Sequence, residues 1–147
     1  MKSVATLFCA LLALAANVSA QALEFRSVAS DAAVLYDAPS VQAKKLYLLS
    51  RYYPVEVIVA LDKWVKVRDA GGGLAWMEAS KLSIKRTLLV TAARAEIRAQ
   101  ADASSALVFT ADHDVALDLM EFEGAWIKVR HRDGLTGYIA VKDVWGD

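Results

Sequence analysis

The reactive side chains of this 147-residue chain are one cysteine, Cys9, and two histidines, His113 and His131. A catalytic nucleophile needs a base within hydrogen-bond reach, and a metal needs several convergent ligands. Cys9 lies in an apolar stretch near the N-terminus, remote in sequence from both histidines. Asp112-His113-Asp114 has the ligand types of a zinc site, but its polar setting reads as a solvated turn. His131 stands at the edge of the turn Arg132-Asp133-Gly134 and is expected to be exposed. Glu121 and Glu123 straddle Phe122 and have the types of an acid/base pair; charge on a solvent-facing strand explains them more simply. Gly71-Gly72-Gly73 lacks the Lys-Ser/Thr that completes a phosphate loop, so it reads as a hairpin turn. No catalytic residue, metal ligand or cofactor is assigned, and the chain is read as non-enzymatic.

The aromatic side chains carry the remaining signal. Trp64 and Trp126 are expected in hydrophobic cores, because aromatics supply the largest burial available to a small domain. Tyr36, Tyr52 and Tyr53 cluster in the first half of the chain, and with Trp76 and Tyr138 they are the candidate ligand-binding residues. An extended peptide can dock on such rings when they line an exposed groove.

Charge and composition limit the partners. Lys and Arg number 17 against 17 Asp and Glu, with no basic block, which argues against nucleic acid and its phosphates. Apolar residues make up 56% of the chain, above the range of ordinary soluble domains. Part of the excess is N-terminal: Lys2 precedes the uncharged stretch from Val4 to Ala16, and Val18-Ser19-Ala20 follows. A basic start, a short apolar core and small residues before a cleavage point are the parts of a secretory signal peptide. Residues 1–20 are therefore expected to be removed, after Ala20 or at the second small-x-small site ending at Ala22. No later segment is apolar over the roughly 20 residues that a membrane-spanning helix needs, so the mature chain is expected to be exported, most simply to the periplasm.

The elements that must position the aromatics come from an internal repeat. An offset of 62 residues aligns Trp64-Val65-Lys66-Val67-Arg68 with Trp126-Ile127-Lys128-Val129-Arg130. The same register pairs Gly72 with Gly134, Trp76-Met77 with Tyr138-Ile139, Leu35 with Ile97, and Tyr47 with Phe109. Within each copy, β-branched and aromatic residues alternate over short runs separated by turn signals, which is the strand pattern. Val55, Val57 and Val59 are expected on one face with Glu56 and Ile58 on the other; Trp64, Lys66 and Arg68 alternate with Val65 and Val67. The alanine-rich stretch from Ala92 to Leu107 is helical by propensity alone, but its counterpart Asp31–Pro39 is not, and the repeat register assigns it to strands.

These residues resemble the bacterial SH3-like domains. The resemblance rests on Pro54-Val55-Glu56-Val57-Ile58, Trp64 with Val67-Arg68-Asp69, and Trp76 in the first copy. In the second it rests on Glu96-Ile97-Arg98, Trp126, Gly137-Tyr138-Ile139 and Val144-Trp145-Gly146. It implies an all-β chain of two tandem SH3-like small β-barrels, at residues 24–84 and 86–147, joined by the short linker Ser83–Thr87 and packed together. The implied role is binding, to a peptide, a protein or peptidoglycan of the bacterial envelope; the alternative is an accessory subunit of an envelope complex. The chain departs from the family's usual glycines at Ala38, Ala101 and Ala75.

Overall fold

The computed structural model describes residues 22–147, so the expected signal segment lies outside the described residues. The first copy comprises β1 (Phe25–Val28), β2 (Ala32–Tyr36), β3 (Lys45–Ser50), β4 (Pro54–Ala60), β5 (Trp64–Arg68), β6 (Leu74–Glu78) and β7 (Leu82–Ser83). The second comprises β8 (Thr87–Val90), β9 (Arg94–Arg98), β10 (Leu107–Asp112), β11 (Ala116–Glu123), β12 (Trp126–Arg130), β13 (Thr136–Ala140) and β14 (Val144–Trp145). Every strand of the second copy begins 62 residues after its counterpart, as do the single 3-10 turns at Ala79–Lys81 and Val141–Asp143. The strand orders agree as well: β3-β2-β6-β5-β4-β1-β7 in one antiparallel sheet and β10-β9-β13-β12-β11-β8-β14 in the other.

Each sheet surrounds its own core. Val28, Leu35, Val55, Val65, Val67 and Met77 fill the first; Leu88, Ile97, Leu117, Ile127, Val129 and Ile139 fill the second. The alanine-rich stretch is not helical: Arg94–Arg98 is strand, as the repeat register requires, and residues 99–106 are turns and loop. Ala95 and Ile97 point into the second core while Arg94 and Glu96 face solvent, a period of two that outweighs alanine's helix preference. One expectation is corrected. A β-bulge between Val57 and Val59 shifts the register, so Ile58 and Val59 are both exposed and Val59 does not share the buried face of Val55. The second copy bulges at the same place, between Leu119 and Glu121.

Only Ile84, Lys85 and Arg86 separate β7 from β8, and the two copies pack together. β8 is buried at all four residues because it is covered on both faces. Leu88 and Val90 enter the second core, whereas Thr87 and Leu89 point away from it, toward the first copy. The Thr87 hydroxyl donates to the Tyr52 carbonyl at 2.7 Å, and the Phe25 ring meets Trp145 edge-on at 5.1 Å. Arg86 donates from Nη2 to the Gly146 carbonyl at 2.7 Å and lies over the Phe25 ring. Gly146, at φ +108°, has room for no Cβ: one would sit 2.9 Å from the Thr87 carbonyl and 3.2 Å from Pro54.

The two cores differ in one correlated pair. A Cβ on Gly137 would meet Cγ2 of Ile97 and come within 2.8 Å of the Arg98 carbonyl. The first copy has Ala75 at that position, opposite Leu35, which carries no branch at Cβ. Gly137→Ala is expected to overpack the second domain and destabilise it by about 1–3 kcal/mol. Adding Ile97→Leu should recover part of the loss in denaturant titrations; a double variant no better than the single would refute this account of the glycine.

Candidate ligand-binding grooves

Alternation along β5 sets the site. Val65 and Val67 point into the core, so Trp64, Lys66 and Arg68 must face outward. Across the ladder Trp64 lies opposite Glu78, and Lys66 opposite Trp76 of β6, which in turn pairs with Tyr36 of β2. The result is an aromatic patch on the outside of the barrel. Tyr36 packs edge-on against Trp64 with ring centroids 5.5 Å apart, and Lys66 Nζ lies 6.0 Å from the Trp76 ring centroid. Trp64 and Trp126 are thus half-buried on outer faces and belong to neither core, contrary to expectation. Their size pointed inward, but strand parity decides.

Each tryptophan forms part of a groove. In the first copy a cavity of about 390 Å³ is lined by Val41, Asp62, Lys63, Trp64, Glu78 and Ser80. In the second, about 330 Å³ is lined by residues including Ala103, Trp126, Ala140 and Lys142, the counterparts of Val41, Trp64, Glu78 and Ser80 at the same 62-residue offset. The groove is therefore a property of the repeated fold. Its chemistry differs between copies: Asp62, Lys63 and Glu78 surround the first, whereas Arg94, Arg98 and Lys142 join Glu96 and Asp143 around the second. The change comes from several positions: Asp62, Lys63 and Glu78 become Gly124, Ala125 and Ala140, while Ala32, Val34, Tyr36 and Ser80 become Arg94, Glu96, Arg98 and Lys142. The Arg98 guanidinium pairs with Glu96 and donates to the Ser105 carbonyl at 3.1 Å.

The five residues singled out from sequence divide by place. Tyr36 and Trp76 stand together beside Trp64, with Tyr36 itself buried and Trp76 half-exposed. Tyr138 occupies the Trp76 position of the second copy, between Arg98 and Lys128. Tyr53 packs against the first core and accepts a hydrogen bond from the Ala70 amide at 3.1 Å; its burial holds the phenol above its ordinary pKa. Tyr52 lies at the junction, in a left-handed conformation at φ 71°. Asp114 adopts φ 67° at the corresponding turn of the second copy. The groove tryptophans were the residues missed from sequence, and the signal for them was the face that Trp64 shares with Lys66 and Arg68, and Trp126 with Lys128 and Arg130.

The loops beyond the grooves are held by polar contacts. Asp69 accepts from the Gly71 and Gly73 amides at 2.9 Å each and from the Tyr47 hydroxyl at 2.6 Å. The rim of the Tyr47 ring is exposed, but its hydroxyl end is enclosed by Asp69 and Gly73; burial first, then the hydrogen bond to the carboxylate, push its pKa far above that of a free phenol. In the second copy the same two positions are Phe109 and His131, whose rings lie 5.9 Å apart. His131 is half-buried there, not exposed as expected.

Two stretches of the chain, residues 29–83 and 91–146, match the model of one family, described as the bacterial SH3 domain. Among solved structures, NlpC2 and NlpC1 from Trichomonas vaginalis are 15% and 16% identical, each with a TM-score of 0.40. Those alignments cover 88% and 93% of this chain and 50% and 51% of theirs. An NlpC/P60 family protein from Bacillus cereus is 15% identical with a TM-score of 0.40, over 82% of this chain and 55% of that one. The chain spans about half the length of these solved chains. The comparison with curated proteins finds no match.

Because its folded-state pKa is raised, Tyr47 contributes stability below pH 10, and that contribution is lost as pH rises through its folded titration. Tyr47→Phe is expected to cost about 1 kcal/mol at neutral pH. It should also remove one late-titrating phenol from the ultraviolet titration of the folded protein. An unchanged titration curve would show that Tyr47 ionises freely.

Proposed function

Since the chain belongs to the bacterial SH3 domain family, we propose that it is an exported, non-enzymatic binding module whose two grooves take peptide, protein or peptidoglycan ligands in the bacterial envelope. Bacterial SH3 domains are binding modules, and this chain carries two. The observation that supports the reading best is the placement of Trp64 and Trp126. Each is a large, rigid ring left half-exposed over a concave surface, at the same position of both copies. A ring in that position gives contact area at little conformational cost, and flanking polar groups supply orientation. Trp76 and Tyr138 extend the two surfaces as secondary contacts, and the buried Tyr36 ring braces Trp64 edge-on. The signal-like segment at residues 1–20 supports export, to the periplasm in the simplest case.

The alternative, an accessory subunit of an envelope complex, draws support from a separate surface. Leu46 and Leu48 are exposed on β3, which forms the edge of the first sheet, and such an edge can pair with a partner strand.

A pull-down from envelope extract, with purified peptidoglycan sacculi as parallel bait, tests the groove reading. Trp64→Ala and Trp126→Ala together should reduce capture at least tenfold while leaving the folded spectrum intact, since neither ring fills a core. Undiminished capture by the double variant would reject the grooves. If capture is instead abolished by Leu46→Lys, the edge-strand alternative holds.

A further inference from the structure

A second concave surface lies where the two copies meet, apart from both tryptophan grooves. Tyr52, Lys85, Asp118, Arg130 and Arg132 line one end, about 240 Å³ in volume, together with His131. Through Ala116 and Arg132 it continues into a larger space of about 450 Å³, walled by Leu48, Leu49, Tyr53 and Leu89. Arg51 and Asp114 are the other charged groups on that wall, and Arg51 is paired with Asp31 at 2.9 Å.

The charge at the narrow end is unbalanced. Asp118 is a single carboxylate shared by two cations, Lys85 Nζ at 2.9 Å and Arg130 Nη2 at 3.2 Å. Arg132 belongs to no ion pair among the described residues, and His131 is turned to Asp133 at 3.0 Å. The first copy supplies an internal comparison. There Glu56 and Arg68, the counterparts of Asp118 and Arg130, form a one-to-one pair at 2.7 Å with the carboxylate almost fully buried. The counterpart of Arg132 is Ala70, and no linker lysine reaches that pair. The cationic excess is thus peculiar to the junction, where the linker adds Lys85 and the second copy adds Arg132.

Both copies have a left-handed residue at this turn, Tyr52 and Asp114, but only in the first does it carry a bulky ring. The conformation presents the Tyr52 ring beneath Lys85, with Nζ 5.0 Å from the ring centroid. The cleft therefore has a cationic end floored by an aromatic ring and an apolar wall running away from it.

We propose that this inter-domain cleft binds the carboxylate end of an extended peptide, the carboxylate meeting Arg132, Lys85 and Arg130 and the preceding apolar side chains lying along Tyr53 and Leu48. Lys85, Arg130 and Arg132 less Asp118 leave a net positive charge at the narrow end, which draws an anion, and guanidinium groups suit the planar carboxylate. The recess between two domains fits a chain end better than a membrane plane.

The test uses the chain from residue 21 onward and an N-acetylated alanine–leucine–alanine peptide with a free C-terminal carboxylate, followed by amide-resolved NMR titration. Shifts should concentrate at Lys85, Arg130 and Gly134. The C-terminally amidated peptide and the exposed-site variant Arg132→Ala should each weaken binding about tenfold, the size of one charge-assisted hydrogen bond. Equal affinity for acid and amide, an unaffected Arg132→Ala, shifts centred on Trp64, or no binding at all would overturn the proposal. Arg132-dependent binding to phosphatidylglycerol vesicles without peptide binding would likewise overturn it, and would assign the cations to a lipid headgroup. Loss of the tryptophan-groove activity leaves this outcome untouched, because the two surfaces share no lining residue.

Discussion

The three-residue connection from Ile84 to Arg86 is the constraint on which the rest of the structure depends. A linker that short cannot hold two domains apart, so the outward face of β8 must be buried against its neighbour. Thr87 and Leu89 answer this: one places its hydroxyl on a carbonyl of the first copy, the other adds apolar area. The C-terminal end returns to the same place, where Trp145 packs on Phe25 and Gly146 lies against Pro54. Units of about 60 residues bury a modest fraction of their surface when alone, and residues 22–147 contain no cysteine to crosslink them. The shared junction supplies burial that neither copy has by itself.

Within that frame the two copies keep the same backbone and differ where side chains meet solvent. Strand starts, strand order, the bulge in the fourth strand and the left-handed turn residue all recur at an offset of 62. Core substitutions are compensated locally, as Ile97 with Gly137 replaces Leu35 with Ala75. The outer row is not held in this way: Tyr36 and Trp76 become Arg98 and Tyr138, while Lys66 recurs as Lys128. Two grooves of one shape therefore carry unlike charge. A module built so can hold two chemically different parts of one ligand, whose joined affinity exceeds either alone.

Most of the fold was legible because a duplicated pattern is a strong signal. The alanine-rich segment was assigned correctly only through its counterpart, since Ala95 and Ile97 in isolation are too few to overrule propensity. The grooves were legible in part. Alternation already placed Trp64 on the face of Lys66 and Arg68, but aromatic size suggested the core, and here parity is the stronger argument because a one-residue slip would expose Val65 and Val67. Tyr52 and Tyr53 stood out by type alone; that one would serve the junction and the other brace the core depends on turn geometry that single-sequence patterns do not encode. The bulge after Val57 was illegible for the same reason.

Arg86 shows how the junction achieves a single geometry rather than mere adhesion. Its guanidinium is drawn from water without a carboxylate partner: Nη2 donates to the Gly146 carbonyl, the plane lies over Phe25, and Nε is buried with no acceptor among the described residues. An apolar side chain there would avoid the unmet donor. It would also lose the one directional contact between the linker and the C-terminal end. A hydrophobic seam tolerates small slips, whereas a hydrogen bond of 2.7 Å to a single carbonyl, combined with a ring face at 5.4 Å, does not. The cost of one unsatisfied nitrogen is thus tied to the fixed relation of the two copies, and that relation is what shapes the cleft between Tyr52 and Arg132.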